Sequence, residues 1–180
     1  MHIKINNVCS KFKLNKHVSL ADVQRLFPDA HIVKNGESKF KAVQIKVLQY
    51  SATAAVSRSG QVVLVGSKSV EDARETAMFI YTVLNGLGDD DFVVTNIASS
   101  FIWNYKIPLP ILYYKLQSCV SKKSDVIYEP ELGTNCIDLR CKSGMAKIFG
   151  TGNMVLTGCR READIIDTLR NVFCLINKSV

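Results

Sequence analysis

The sequence has few of the residues from which catalytic or metal sites are built. Its three histidines all lie within the first 31 residues, whereas five of its six cysteines lie beyond residue 118, and none form a CxxC pair. This separation excludes the usual zinc-ligand spacings. No glycine-rich phosphate loop or His/Cys/Asp cluster marks an active site. We therefore expect a protein that is not an enzyme, with no metal or other cofactor and with free thiols.

Long apolar runs and blocks of one charge are also missing. The longest apolar runs, such as Met78–Leu84, are far too short to span a bilayer, and the N-terminus lacks the apolar centre of a signal peptide. These absences predict an intracellular protein with no membrane partner. A hydrophobic fraction of 47% with 22% charged residues is typical of a folded soluble chain.

The charge balance is basic. The chain carries 23 Lys and Arg against 16 Asp and Glu, which gives a net charge of +7 spread evenly along the sequence. A basic protein suits a polyanionic partner such as nucleic acid, but many soluble proteins are basic for other reasons. Charge alone therefore does not decide the function.

The chain resembles itself at a spacing of about 90 residues. Gly60–Lys68 (GQVVLVGSK) matches Gly152–Arg160 (GNMVLTGCR) at an offset of 92 residues, and Ile5–Ser10 (INNVCS) matches Thr95–Ser100 (TNIASS) at an offset of 90. Two separate segments that recur at nearly the same offset indicate a duplication. Two copies are too few for a solenoid, so we expect one intertwined domain with pseudo-two-fold symmetry. The predicted repeats are residues 1–90 and 91–180.

Each repeat is predicted to combine strands with two helices. Leu20–Phe27 has the pattern of a short helix that Pro28 stops, and a longer helix begins at the N-cap Ser69 and ends near Gly86. Alternation along Phe40–Val47 predicts a half-buried strand. Helical spacing predicts one buried stripe on each closing helix: Ala73, Ala77, Ile80 and Leu84 in the first repeat, and Ala163, Ile166, Leu169, Phe173 and Ile176 in the second.

The predicted fold class is α+β, an antiparallel sheet with helices on one face, so the other face is open to solvent or to a partner. Strand alternation predicts the side chains of that open face: Asn6, Val8, Ser10, Phe40, Ala55, Ser57, Val63, Val65, Asn96, Ala98, Ser100, Lys147, Phe149, Val155 and Thr157. So apolar a face usually marks a partner, either another protein or a nucleic acid. The DNA minor groove accounts better for apolar side chains around an asparagine, because A·T edges present only acceptors and the guanine amino group would be crowded.

Several segments closely resemble the TATA-box-binding protein family. They are Phe40–Val43 (FKAV), Thr53-Ala54, Ser59–Val63 (SGQVV), Gly66–Ser69 (GSKS), Tyr128–Leu132 (YEPEL), Ile148-Phe149, Val155–Gly158 (VLTG) and Ala163–Phe173. The resemblance covers nearly the whole chain. It implies a saddle made of two pseudo-symmetric repeats, with a curved antiparallel sheet of about ten strands and four helices on the convex face. It also implies a general transcription initiation factor that binds promoter DNA in the minor groove through the concave face.

The resemblance implies a set of DNA-contacting residues: two central asparagines with a small neighbour each, apolar strand ends, aromatic wedges and phosphate-binding cations. In this sequence they are Asn6, Val8, Lys39, Phe40, Lys46, Val63, Val65, Lys68, Asn96, Ala98, Arg140, Lys147, Phe149, Val155, Thr157 and Arg160. A one-residue deletion lies near Arg140.

Two of the family's four wedge phenylalanines are missing. Phe40 and Phe149 are present, whereas their partner positions hold Ser57 and Gly133, and Lys147 replaces an apolar groove-facing residue. Opening a base step costs about a few kcal/mol, which the wedges help to offset. We therefore expect shallower bending and weaker TATA preference, with Lys147 adding affinity through a phosphate.

The segment Tyr128, Glu129, Pro130, Glu131 and Leu132 is intact, and in the family it contacts transcription factor IIB. The resemblance implies A·T-rich double-stranded DNA, IIB-like and IIA-like factors and the RNA polymerase machinery as partners. It implies the nucleus as location, or a cytoplasmic factory for a viral protein. Two functions stay open: a DNA-binding initiation factor, and a scaffold of the same fold that binds DNA weakly or not at all and holds proteins instead.

Overall fold

The computed structural model describes residues 2–34, 41–84 and 91–178. These residues form ten β-strands and four α-helices, and the chain divides into two compact units. The N-terminal unit is Asn6–Thr95, and the C-terminal unit comprises residues 2–5 and 96–178 of the described chain. Each unit holds five strands and two helices, so the secondary structure has the duplication that the sequence predicts.

The N-terminal unit contains an antiparallel sheet with strand order β2-β3-β4-β5-β1. Its strands are β1 (Ile3–Lys13, of which residues 3–5 belong to the other unit), β2 (His31–Lys34), β3 (Lys41–Val47), β4 (Ala52–Ser57) and β5 (Gln61–Ser67). Its helices are α1 (Leu20–Leu26) and α2 (Val70–Val83). Serine caps start both helices: the Ser19 hydroxyl accepts from the Asp22 N–H at 3.4 Å, and the Ser69 hydroxyl from the Asp72 N–H at 2.9 Å.

The core of the N-terminal unit lies between its helices and one face of its sheet. Val43, Ile45 and Val47 of β3 all point into this core, as their alternation predicts. The predicted stripe of the closing helix is confirmed, since Ala73, Ala77, Ile80 and Leu84 are all buried. The opposite face of the sheet therefore carries the alternate residues of each strand.

The C-terminal unit repeats this arrangement with strand order β6-β10-β9-β8-β7, again antiparallel. Its strands are β6 (Val93–Ile102, of which residues 93–95 belong to the N-terminal unit), β7 (Val126–Ile127), β8 (Cys136–Cys141), β9 (Gly144–Phe149) and β10 (Asn153–Cys159). Its helices are α3 (Leu109–Cys119) and α4 (Glu162–Lys178), and α4 packs against β8, β9 and β10.

The stripe predicted for α4 is wrong in part. Ala163 and Ile166 are exposed, and the buried residues follow the helical series Ile165, Leu169, Val172 and Ile176. The first turn explains the rotation, because the Asp164 carboxylate folds back to accept hydrogen bonds from the Arg160 and Arg161 N–H groups at 3.1 and 3.0 Å. Phe173 is half-buried and packs edge-on against Phe101, with ring centroids 5.6 Å apart.

No helix among the described residues is long and apolar enough to cross a membrane.

Candidate nucleic-acid interface

In each unit we call the sheet face opposite the helices the open face. On the N-terminal open face, Val63 and Val65 are the most exposed apolar side chains of β5, at 42% and 40%. Across the sheet Val63 pairs with Ala55 on one side and with Lys11 on the other. Val65 pairs with Thr53, which in turn pairs with Lys46. The face is therefore an apolar centre of small side chains with cations beside it.

The predicted facing of β1 is wrong by one residue. Val8 and Ser10 are fully buried on the helix side, so neither lies on the open face. Alternation then directs Asn7 and Cys9 outward, and Asn6 shares the side of Val8. The residue in the position of Asn96 is thus Asn7, and Asn6 contributes its backbone carbonyl, which accepts a hydrogen bond from Lys68 Nζ at 2.8 Å.

Each unit holds one asparagine by the same backbone device. Asn7 Oδ1 accepts a hydrogen bond from the Gly66 N–H at 2.7 Å, and Asn96 Oδ1 accepts from the Gly158 N–H at 2.7 Å. Both glycines have positive φ, at 104° and 76°, and lie at the point where the strand register shifts, so each is part of a β-bulge. The bulge turns a backbone donor toward the asparagine oxygen and so leaves the amide NH₂ as the donor; in Asn7 one of its hydrogens is directed at Cys9 Sγ, 3.4 Å away.

The C-terminal open face has the same apolar strand beside the asparagine. Ala98, Val155 and Thr157 are all half-exposed, as predicted for outward positions. Val155 pairs with Lys147, and Thr157 pairs with Met145. The next outward-facing residues, Asp138 and Arg140 on β8, are polar, as are Gln44 and Lys46 at the equivalent places on β3.

An ion pair that the sequence analysis missed lies on the C-terminal open face. Lys147 Nζ is 2.7 Å from both carboxylate oxygens of Asp138, its cross-strand neighbour. The side chains are 39% and 29% exposed. The hydrogen bond to Asp138 raises the pKa of Lys147, so the ammonium stays charged. Lys147 is therefore already paired with a carboxylate at the position where it was expected to be free for a phosphate.

The four positions of the family's wedge phenylalanines differ in residue type and in exposure. Phe149 is half-exposed at the end of β9 and lines an open pocket with Ile102 and Asn153. Ser57, its counterpart 92 residues earlier, is buried and donates to the Gln61 carbonyl at 3.1 Å, which closes the β4–β5 turn. Gly133 has φ 78°, and a Cβ at this position would have nothing within 4 Å, so a side chain there has room but would be strained. Phe40 lies outside the described residues.

The predicted phosphate-binding cations lie at the surface. Lys46, Lys68, Arg140 and Arg160 are all exposed. Lys39 lies outside the described residues. Lys11 was missed by sequence reasoning, yet it is exposed on β1 directly opposite Val63. The basic excess of the sequence therefore contributes several cations to the strands and turns that frame the open faces.

The predicted partner segment protrudes from the C-terminal unit. Glu129, Pro130, Glu131 and Leu132 are exposed, Leu132 by 72%. Tyr128 is half-buried and anchors the segment, with its ring centroid 5.7 Å from that of Tyr113. A 3-10 turn over Pro130–Leu132 and a 2.6 Å bond from the Thr134 hydroxyl to the Glu129 carbonyl hold the backbone. The segment thus presents two carboxylates and one leucine.

The described residues contain no group of three His, Cys, Asp or Glu side chains positioned to hold a metal ion. Their cysteines are free thiols, and burial raises the pKa of Cys141 to about 11. This thiol therefore stays protonated near neutral pH and is a poor nucleophile.

Comparison with known proteins gives one family. The family model for transcription factor TFIID, or TATA-binding protein, matches residues 2–87 and 91–179. The chain is 29% identical over 168 residues to the TATA-box-binding protein of Archaeoglobus fulgidus, with 90% of this chain and 87% of that protein covered. It is 27% identical to the TATA box-binding protein-like 2 of Mus musculus, which covers 86% of this chain but only 44% of the mouse protein.

Among solved structures, Methanococcus jannaschii TBP superposes with a TM-score of 0.78, covering 99% of each chain at 20% sequence identity. This likeness shows that the predicted fold is right, with its ten antiparallel strands and four helices in two repeats. The family match spans both repeats and nearly every residue of the sequence. The chain belongs to the TATA-binding protein family of DNA-binding transcription factors.

Proposed function

We propose that this chain is a transcription initiation factor that binds A·T-rich promoter DNA in the minor groove through its open faces. The observation that carries the proposal is the repeated asparagine device, in which Asn7 and Asn96 each have their oxygen held at 2.7 Å by a bulge glycine. An amide whose oxygen is already bonded offers its NH₂ to a partner, and the acceptors A N3 and T O2 are what an A·T edge presents.

The apolar side chains beside each asparagine fit the same partner. Val63 and Val65 lie on β5, which pairs with the strand of Asn7, and Val155 and Thr157 lie on β10, which pairs with the strand of Asn96. The three valines have no polar group to leave unpaired against the groove floor, and the Thr157 hydroxyl can pair with a groove acceptor; all four side chains would crowd a guanine amino group. The cations Lys46, Lys68, Arg140 and Arg160 would contact phosphates, and Ala98 would lie beside the base edges. Lys39 and Phe40 are further proposed contacts.

We infer that bending is shallower than in relatives with four aromatic wedges. Phe149 keeps its place, but its counterpart Ser57 is buried in a turn and Gly133 presents no side chain. With fewer rings to stack on opened base steps, the cost of unstacking of about a few kcal/mol per step is less well offset. The paired Lys147 adds little free positive charge.

The Tyr128–Leu132 segment is the proposed contact for a IIB-like factor. Glu129 and Glu131 are exposed, and acids near phosphates are unfavourable unless they face a cationic partner. A IIA-like factor and the RNA polymerase machinery would join the same complex, which places the proposed function in the nucleus or in a viral factory. No catalysis is part of this proposal.

A salt titration and a bending assay test the proposal together. Binding of a fluorescent TATA duplex should weaken steeply as salt rises, because each phosphate contact releases counterions. Replacing A·T by inosine·cytosine pairs should preserve binding, because inosine lacks the guanine amino group and leaves the minor-groove acceptors in place. Energy transfer between the duplex ends should report only a small bend on both TATA and scrambled duplexes; a large bend confined to TATA would refute the shallow-bending part.

A second candidate, a scaffold of the same fold that binds proteins with little or no DNA affinity, is favoured by the carboxylate of Asp138 on the C-terminal open face and by the missing wedges. It predicts no salt-dependent duplex binding, whereas binding of a IIB-like factor would persist and would be lost on substitution of Glu129 and Glu131. The same salt titration therefore distinguishes the two candidates.

A further inference from the structure

The Asp138–Lys147 pair has no charged counterpart in the N-terminal unit. Lys147 lies 92 residues after Ala55, and the cross-strand neighbour of Ala55 is Gln44, as Asp138 is that of Lys147. One unit therefore carries a neutral amide beside a methyl group at positions where the other carries a carboxylate and an ammonium. The pair also lies inside the open face, since Val155 adjoins Lys147 and Ile127 adjoins Asp138.

The chemistry of the two groups restricts what base pair can lie against them. An ionised carboxylate only accepts hydrogen bonds, and an ammonium only donates them. The A·T minor-groove edge offers acceptors alone, so against it the carboxylate would lose water without gaining a donor. The G·C edge adds the guanine N2 amino group between acceptors, and this edge supplies a partner for both members of the pair.

The geometry leaves capacity for these contacts. Lys147 Nζ spends two bonds of 2.7 Å on the two Asp138 oxygens, which leaves one ammonium hydrogen and further lone pairs on each oxygen. Because the two charges cancel, the carboxylate does not approach the phosphates as an isolated anion.

We propose that the Asp138–Lys147 pair makes the C-terminal unit select one G·C base pair in the minor groove, next to the A·T pairs that Val155 and Thr157 would contact, with Asp138 accepting from guanine N2 and Lys147 donating to a neighbouring N3 or O2. This inference rests on the proposed function, and it adds a specificity determinant to that same surface. The N-terminal unit, with Gln44 and Ala55 in the equivalent places, keeps a preference for A·T pairs.

The test measures the binding of duplexes in which one A·T pair at a time becomes G·C or inosine·cytosine. For the native chain, at least one position should favour G·C over inosine·cytosine by about tenfold, the order of discrimination that a good base contact gives. The double variant Asp138→Gln/Lys147→Ala copies the pair of the N-terminal unit and leaves the net charge unchanged. It should lose that discrimination and still bind A·T-rich duplex.

The reverse graft, Gln44→Asp/Ala55→Lys, should create a second G·C-preferring position, and circular dichroism should show that both variants are folded. Equal binding of G·C and inosine·cytosine duplexes by the native chain would overturn this inference and leave the proposed function in place. Failure to bind any duplex would overturn both. Unchanged discrimination in a folded double variant would show that other residues read the guanine.

Discussion

Replacing Asn96 by aspartate separates the two tasks of this side chain. The Asn96 oxygen accepts the Gly158 N–H at 2.7 Å and so holds the bulge of β10, while the amide NH₂ is the proposed donor to the groove. Aspartate keeps an oxygen in that place, and a carboxylate accepts an N–H more strongly than an amide does. Asn96→Asp should therefore fold with little loss of stability while it loses the donor.

The expected effect on binding follows from the lost base contact. A good contact to a base edge contributes about 1–3 kcal/mol, so the dissociation constant for an A·T-rich duplex should rise by about 5-fold to 150-fold. The new negative charge near phosphates adds to this loss at low salt. Asn96→Ala differs because it removes both the side-chain oxygen and the NH₂. Through the lost hydrogen bond from Gly158 it should also lower the free energy of unfolding by about 0.5–1.5 kcal/mol.

Asn171→Asp is the matched control, because it makes the same charge change on the exposed side of α4. Fluorescence anisotropy at two salt concentrations gives the affinities, and urea unfolding gives the stabilities. The reasoning is refuted if Asn96→Asp binds the duplex as well as Asn171→Asp does. It is also refuted if Asn96→Asp is as unstable as Asn96→Ala, since the oxygen would then not be what holds the bulge.

Three further predictions concern the fold. Gly152→Ala should destabilise the chain far more than Gly133→Ala in urea unfolding, since both have positive φ but only at Gly152 would a Cβ collide with backbone carbonyl oxygens. Hydrogen bonds from Arg161 and from the Arg160 N–H lower the pKa of Asp164. Its stabilising effect is therefore present above the ordinary carboxyl range near pH ~4 and is lost as pH falls through the lowered value. Asp164→Asn should thus cost stability at pH 7 and progressively less as the pH falls below that range, and a cost that does not change with pH would contradict this. With its pKa raised to about 11, Cys141 is a thiolate in only ~1 molecule per 1,000 at pH 8, and mass spectrometry should find it alkylated by iodoacetamide much more slowly in the native chain than in urea.

Much of the fold follows from local patterns in the sequence. Alternation along β3, β5 and β10 places the right residues in the core, because one sheet face is buried and a shift of one residue would expose the entire set. The stripe of α2 is equally clear because Ser69 fixes where the helix begins. In α4 the first turn is set by Asp164, a side-chain contact that periodicity does not report, and the predicted stripe is rotated as a result.

The central asparagine of the N-terminal unit illustrates what self-comparison leaves undecided. Asn6 and Asn7 are adjacent, so either can be matched to Asn96. The bulge decides between them, because the bond from the Gly66 N–H reaches Asn7 and Val8 is then directed into the core. A bulge adds one residue to one strand, and a glycine is its only sequence signal. The repeat spacing that matches β5 to β10 therefore does not tell which residue of β1 matches Asn96.

The register of one turn is enough to predict the Asp138–Lys147 pair from the sequence. Cys141 pairs with Gly144 across a two-residue loop, and a hairpin of that length fixes the register of every residue behind it. Lys147 lies nine positions after Asp138, which places the two charges opposite each other on the same face. Considered alone, the lysine suggests a phosphate contact; beside its carboxylate it is half of a neutral pair.

The two units of this chain share strand order and the asparagine device but differ in the groups beside it. Phe149 corresponds to the buried Ser57, and the Asp138–Lys147 pair to uncharged residues. Under the pseudo-two-fold symmetry that the sequence predicts, identical units would bind a duplex equally well in either direction, since reversal would exchange equivalent contacts. When the units differ, the two orientations on a duplex differ in binding free energy by the difference between the contacts that the units make. Each departure from symmetry therefore contributes to a preference for one direction. If each differing contact contributes about 1 kcal/mol, two of them favour one direction by about 30-fold. Directional binding on an asymmetric duplex is therefore expected even if overall affinity is modest.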